Sequence, residues 1–357
     1  MNLLSATDKK RAVKNIRHLS LAELESFFAE MGEKKFRAKQ VWEWLWMKHA
    51  HSFADMTNLS KELRQKLGEN FTLPSLSVDA TQYSSDGTVK SRFKTHEGHL
   101  CEGVLIPTET RFTACVSSQI GCSLSCKFCA TGYIERKRNM DFDEIYDEVV
   151  LLNQQSEKVY GKKLSNIVFM GMGEPLLNYK NVLKAIERIT AEDGLGMSPR
   201  RITVSTAGVA KMIRQLGDDK VRFKLALSLH APNDTKRNEI MPINESNNLK
   251  ALIDALNYFY KETKNEITLE YILFNNFNDS EKDAQELIKI YRQVPADLVN
   301  IIEYNPIEFA KFEKPSEERV NQFMDYLAKA KVNAHLRRSR GKDIDAACGQ
   351  LANKDQV

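Results

Sequence analysis

From about residue 112, short β-rich runs alternate with amphipathic helical stretches, and this rhythm constrains the chain more than any other feature of its 357 residues. Strands are predicted at 112–118, 165–171, 201–207, 222–230, 267–274, 299–305 and 332–337. Helices are predicted between them at 141–155, 179–192, 209–217, 249–263, 280–294 and 316–330. Asp141, Asn178, Ser280 and Ser316 stand where side-chain acceptors start helices. Repeated β-then-α means parallel strands joined by crossover helices, hence a doubly wound sheet or a barrel. Either one gathers ligands at the C-terminal ends of its strands.

The first 80 residues differ. Ser20 and Glu23 fit a capping box, and helices are expected over 21–31, 36–49 and 60–70. Trp42, Trp44 and Trp46 sit together beside Lys34, Lys35, Arg37 and Lys39. That arrangement suits a small apolar core with a solvated basic face, or a helical module that grips a phosphate backbone. Residues 81–110 show glycine-broken alternation, which predicts hairpins connecting the two parts.

Composition excludes several classes. Hydrophobic residues at 42% and charged residues at 28% rule out a mostly disordered chain. A net charge of +4 is too mild to mark a nucleic-acid binder without local clustering. No apolar run reaches the ~18–20 residues of a membrane span, and the N-terminus lacks a secretory apolar region, so a cytoplasmic protein is expected. Six cysteines in a reducing compartment are no disulfide scaffold.

The strand ends carry the chemistry. After the first strand come Cys122, Cys126 and Cys129 in C-x3-C-x2-C spacing, with no histidine near to close a fourth position. Three thiolates on a short loop suit a four-iron cluster with one iron open; zinc, or unligated thiols, remain alternatives. After the second strand, Gly171-Met172-Gly173-Glu174-Pro175 starts like a dinucleotide fingerprint but has Leu176 where the third glycine belongs. Ser205, the run Ser228-Leu229-His230, and Asn305 follow later strands. Each alone reads as a capping residue; together they suggest one pocket. Near the end, Arg337, Arg338, Arg340 and Lys342 suit a phosphate contact or a solvated strand end, and Cys348 precedes a glycine.

With these motifs the chain resembles the radical S-adenosylmethionine superfamily. Its segments around Cys115 and around Ala347-Cys348-Gly349-Gln350-Leu351 resemble the RlmN/Cfr family of RNA adenine methyltransferases. The resemblance implies an α/β fold, a partial (β/α)6 barrel over 111–351 that ends in a catalytic-cysteine loop. It adds an N-terminal RNA-binding helical domain over 1–80, the hairpin linker over 81–110, and a tail at 352–357.

It also implies site roles. Cys122, Cys126 and Cys129 would hold a [4Fe–4S] cluster. Gly173, Glu174, Ser205, Ser228, Leu229, His230 and Asn305 would hold S-adenosylmethionine, of which two are used per turnover. Cys348 would carry the methyl group, Cys115 would resolve the protein–RNA adduct through a disulfide with Cys348, and Glu102 would be the proton acceptor. Radical chemistry is required because adenine C2 is electron-poor and cannot attack a sulfonium methyl. A radical cut from the second S-adenosylmethionine takes hydrogen from the Cys348 methyl, and the resulting carbon radical adds to the adenine. The implied partners are 23S rRNA at the peptidyl-transferase centre, certain tRNAs, and an electron donor such as a flavodoxin system, with the protein a monomer. Alternatives are methylation at C8, and a zinc-stabilised RNA-binding protein without catalysis.

Overall fold

A computed structural model describes residues 14–354. Residues 1–13 of the expected helical domain and 355–357 of the expected tail lie outside the described residues. Two compact units divide the rest near residue 75, and residues 191–196 group with the first.

The first unit holds helices α1 (Leu21–Glu30), α2 (Phe36–Trp46) and α3 (Lys61–Asn70). Ser20 and Glu23 form the expected capping box: Ser20 Oγ accepts from Glu23 N, and the Glu23 carboxylate accepts from Ser20 N at 2.7 Å. Ser60 caps α3 by accepting from Leu63 N, without a reciprocal carboxylate. Leu24, Phe28, Val41, Leu45, Trp46, Leu63 and Leu67 are buried and make this unit's core. Trp46 is buried and Trp42 leans on it with ring centroids 5.8 Å apart, whereas Trp44 donates to the side chain of Asn58. Lys34, Lys35 and Lys39 stay exposed, and Arg37 donates to Gln40 and to the carbonyl of Asn58.

The second unit is built on one ten-stranded sheet. Its strands are β1 (Ser77–Tyr83), β2 (Val89–Lys94), β3 (Leu100–Pro107), β4 (Phe112–Cys115), β5 (Asn166–Phe169), β6 (Ile202–Thr206), β7 (Lys224–Ser228), β8 (Ile267–Leu273), β9 (Leu298–Glu303) and β10 (Ala334–Arg337). Spatial order follows chain order from one edge to the other. From β4 to β10 all pairs are parallel. A doubly wound sheet would reverse its strand order at a switch point. This sheet never reverses, so the winding is that of a barrel wall. Crossovers of one hand then place their helices on one face. β1 and β10 are both edges, which makes the barrel partial.

Six crossovers join the seven parallel strands: α4 (Phe142–Tyr160), α5 (Tyr179–Thr190), α6 (Ala210–Asp218), the pair α7 (Asp234–Ile240) and α8 (Leu249–Thr263), α9 (Glu281–Tyr291), and α10 (Glu317–Lys329). Asp141, Ser280 and Ser316 cap α4, α9 and α10. Asn178 does something else. Its amide nitrogen donates to the carbonyls of Ser118 and Met140, tying the loop after β5 to the loop after β4.

Residues 81–110 are not a free linker. β1 to β3 are antiparallel, and β3 pairs with β4 from Val104 opposite Cys115 to Pro107 opposite Phe112. The hairpins therefore extend the barrel wall beyond its first parallel strand.

Candidate active site

Cys115 ends β4, and the chain then packs against the turn after β5. Ser117 Oγ donates to the carbonyl of Glu102 at 2.7 Å and accepts from Met172 N at 2.8 Å. A Cβ on Gly171 would lie 2.7 Å from the backbone of Val116, and one on Gly173 would lie 2.5 Å from Gln119 Cβ. Gly173 also has φ +93°, which side-chain-bearing residues rarely adopt. These glycines bring two strand-end loops into contact, and that contact aims Glu174. Its carboxylate accepts from Ala207 N at 2.7 Å and Leu176 N at 3.0 Å, which leaves lone pairs for an amine. Burial raises its pKa.

Cys122, Cys126, Cys129, Glu174, Ser205, Ser228 and His230 line one cavity of about 150 Å³. Burial raises all three thiol pKa values, with Cys122 pushed up to about 11. Metal binding therefore has to displace protons. Three thiols, with a fourth position open beside Glu174, suit a [4Fe–4S] cluster that also binds an amino acid.

Ser205 and Ser228 approach to 3.4 Å between their hydroxyl oxygens. His230 Nδ1 accepts from Ile272 N at 3.1 Å. Burial, helped by Arg237, lowers its pKa to about 3, so the ring is neutral and keeps Nε2–H as a donor. Phe128 packs edge-on against it at 4.9 Å. Two expected contacts lie elsewhere. The Leu229 side chain is fully buried outside the cavity, and only its backbone takes part, accepting from Arg237 Nε. Asn305 does not line the cavity; its amide donates to the carbonyl of Cys348 at 3.2 Å.

A second chamber adjoins the first, lined by Arg111, Cys115, Arg337, Arg340 and Cys348 among others. Cys348 and Cys129 line both chambers, so Cys348 stands at their common wall. All six cysteines are free thiols. The disulfide expected between Cys115 and Cys348 is thus not a feature of this fold. Burial pushes the Cys115 thiol pKa far up. Glu102 lines neither chamber. Its carboxylate accepts from Ala352 N and Asn353 N and faces Lys90 Nζ at 3.5 Å.

The basic run near the C-terminus is largely engaged. Arg337 pairs with Glu270, Arg338 with Glu303 and Glu317, Arg340 with Asp86, and Lys342 with Glu303. Glu303 also takes Lys314, and its pKa lies at about 2: those hydrogen bonds outweigh the opposing effect of burial. Sequence reasoning missed Arg237, which holds the strand ends from behind, and Glu270, whose Oε2 lacks a hydrogen-bond partner and which lines the first chamber. A glutamate inside the apolar run 267–274 was the available signal for the latter. Among the described residues no helix is long and apolar enough to cross a membrane.

The partial barrel and its three-thiol loop define a radical S-adenosylmethionine enzyme. Residues 116–288 match the Radical SAM superfamily, and residues 14–73 match the Ribosomal RNA large subunit methyltransferase N-terminal domain. A probable dual-specificity RNA methyltransferase RlmN of Cytophaga hutchinsonii is 55% identical over 352 residues, covering 99% of this chain and 96% of the relative. A protein of the same name from Salinibacter ruber is 42% identical over 350 residues, covering 96% and 95%. The crystal structure of a radical SAM methyltransferase from Sphaerobacter thermophilus superposes with a TM-score of 0.89 at 38% identity, covering 96% of this chain and all of that one. The chain belongs to the RlmN family of dual-specificity RNA methyltransferases. A [4Fe–4S] cluster and S-adenosylmethionine are the cofactors this membership implies.

Proposed function

We propose that the protein methylates C2 of an adenine in the peptidyl-transferase centre of 23S rRNA, and of the adenine 3′ of the anticodon in some tRNAs, with the methyl carbon carried on Cys348. The observation that carries this reading is the position of Cys348 at the wall between the chamber lined by Cys122, Cys126 and Cys129 and a second chamber that holds Cys115. Cys122, Cys126 and Cys129 hold the cluster. Glu174 receives the amino group of S-adenosylmethionine, while Ser205, Ser228 and His230 Nε2–H face the same cavity. When bound, the cluster supplies one-electron cleavage of S-adenosylmethionine, which ordinary displacement at adenine C2 cannot replace.

Cys348 takes a methyl group as thiolate, the nucleophilic form. This use of one S-adenosylmethionine, plus the radical use of another, sets two per turnover. Once the adenine is bound through the methylene carbon, its C2 proton would leave to a base and one electron would return to the cluster; Cys115 as thiolate then attacks the Cys348 sulfur, the sulfur–carbon bond breaks with its electron pair going to carbon, and that carbon takes a proton to release methylated RNA, while the sulfur–sulfur bond exists only during turnover and is reset by a dithiol. The target adenine reaches Cys348 unstacked. Lys34, Lys35 and Arg37 of the first unit contact the RNA backbone. An electron-donor protein of flavodoxin type, a monomeric state and a cytoplasmic location complete the reading. The relatives' dual-specificity name supports two RNA substrates, and the match to the Radical SAM superfamily disfavours the zinc alternative.

The test uses cysteine variants. Cys115→Ala protein should carry RNA covalently on the peptide containing Cys348, and this adduct should survive denaturation. Cys348→Ala protein should carry none. A Cys115→Ala protein free of RNA yet fully active would defeat the two-cysteine reading.

A further inference from the structure

The segment that carries Cys348 is docked against the antiparallel hairpins. Gly341 N donates to Asp86, and Asp343 accepts from Ser84 Oγ and Ser85 N. Farther along, Lys90 Nζ reaches the carbonyl of Asp345 at 3.4 Å. Beyond Cys348, Ala352 N and Asn353 N both donate to Glu102 Oε2, at 2.8 and 3.1 Å, and Asn353 Nδ2 donates to the carbonyl of Leu100. Between these two anchors lie only residues 346–351, an arch with Cys348 near its top.

The anchors are not independent. Lys90 pairs with Val104 and Arg92 with Glu102 across β2 and β3, so Lys90 and Glu102 are diagonal neighbours on one face. Their charged ends are 3.5 Å apart, and their side chains are 8% and 2% exposed. A buried cation and a buried carboxylate need each other and further hydrogen bonds. Here those further bonds go to the two feet of the arch.

We infer that Lys90 and Glu102 form a positioning pair that pins both ends of the 346–351 arch, which Ala130, Thr131 and Asn305 hold between them, and so sets Cys348 between the two chambers it borders. This rests on Cys348 being the methyl-carrying thiol. It gives β1–β3 a role in the reaction, and it gives the Glu102 carboxylate three partners, none of them substrate. The resemblance puts a proton acceptor at this position, and the two roles predict different variants.

The experiment uses the reconstituted holoenzyme with Lys90→Met, Glu102→Gln and the double variant, alongside wild type. Three quantities are read: hydrogen exchange over 346–353, methyl loading of Cys348 by peptide mass, and kcat and KM for RNA. A positioning pair predicts exchange over 346–353 faster by roughly 10- to 100-fold in Lys90→Met, the equivalent of one lost charged hydrogen bond. It predicts a fall in kcat and in methyl loading with little change in KM for RNA. The double variant should recover part of the loss, because it removes the unpaired buried carboxylate that Lys90→Met leaves behind. Wild-type exchange and kcat in Lys90→Met would overturn the inference. So would a Glu102→Gln protein that keeps exchange protection and loads Cys348 normally, yet accumulates covalent RNA: that is the signature of a missing base. Should Cys348 carry no methyl in wild-type protein, the methyl-carrier reading fails, while the exchange result still reports on the clamp.

Discussion

Replacing Arg237 by Met should damage both stability and cofactor binding. Arg237 is fully buried in α7, and its guanidinium donates to the carbonyls of Ala207 (2.5 Å), Leu229 (3.1 Å) and Ser228 (3.2 Å) and to Asn244 Oδ1 (2.6 Å). Burial draws its pKa down to about 10, which still leaves it charged at neutral pH. One cation thus gathers the ends of β6 and β7, which present Ser205, Ser228 and His230 to the cavity. Methionine fills similar volume but donates nothing. Each charged hydrogen bond is worth about 1.5–3 kcal/mol net, and losing the cation's own desolvation offsets part of that. The balance is a loss of about 3–5 kcal/mol, since four buried oxygens lose their donor at about 1–3 kcal/mol each while the cation's own desolvation is recovered. At roughly 2 °C per kcal/mol for a unit of this size, Tm should fall by about 6–10 °C. The affinity for S-adenosylmethionine, measured by equilibrium dialysis, should weaken at least about tenfold, since 1.4 kcal/mol of disorder at the strand ends suffices. A Tm change under about 2 °C with unchanged affinity would refute this account of how the strand ends are held.

Two further outcomes follow from the same cavity. His230 is held at a pKa of about 3 in the folded chain against its ordinary 6.5, so between those values the unfolded chain binds the extra proton. Its contribution is complete above about pH 6.5 and is lost as pH falls; between pH 7 and pH 5 the wild type should lose about 2 kcal/mol more than His230→Asn in urea unfolding, and equal losses would refute the assignment. Gly173→Ala should cost clearly more than Gly161→Ala: both glycines have positive φ, but only Gly173 has its added Cβ blocked, 2.9 Å from the backbone nitrogen of Gln119. Similar costs, measured as shifts in Tm, would show that the 116–119 and 171–173 loops part easily.

Local signals were legible in the sequence. Ser20, Asp141, Ser280 and Ser316 cap their helices because a cap needs only residues three or so away. Asn178 looked the same but bonds across 60 and 38 residues, to Ser118 and Met140, which no local pattern encodes. Strand periodicity left a doubly wound sheet and a barrel equally open, since they differ only in strand order. The three cysteines share a cavity as their spacing suggested, because a short loop leaves them nowhere else to go. The basic run misled for the reason Asn178 did: its partners Asp86, Glu270 and Glu303 are distant in the chain. Arg237 gave no signal, since an arginine in the short helical stretch 234–240 reads as solvent-facing until the barrel closes over it.

The clamp on the Cys348 arch also sets a clock. Glu102 and the backbone of Ala352 are 250 residues apart in the chain. At about 5–20 residues per second, synthesis takes roughly 10–50 s to deliver the second partner after the first. Throughout that interval the hairpins hold a lysine and a glutamate whose remaining partners do not yet exist. The bond from Ala130 N to the carbonyl of Gly349, which lays the arch beside the cluster loop, is equally out of reach. The arch is therefore completed only after the loop of Cys122, Cys126 and Cys129 has stood on the growing chain for most of its synthesis.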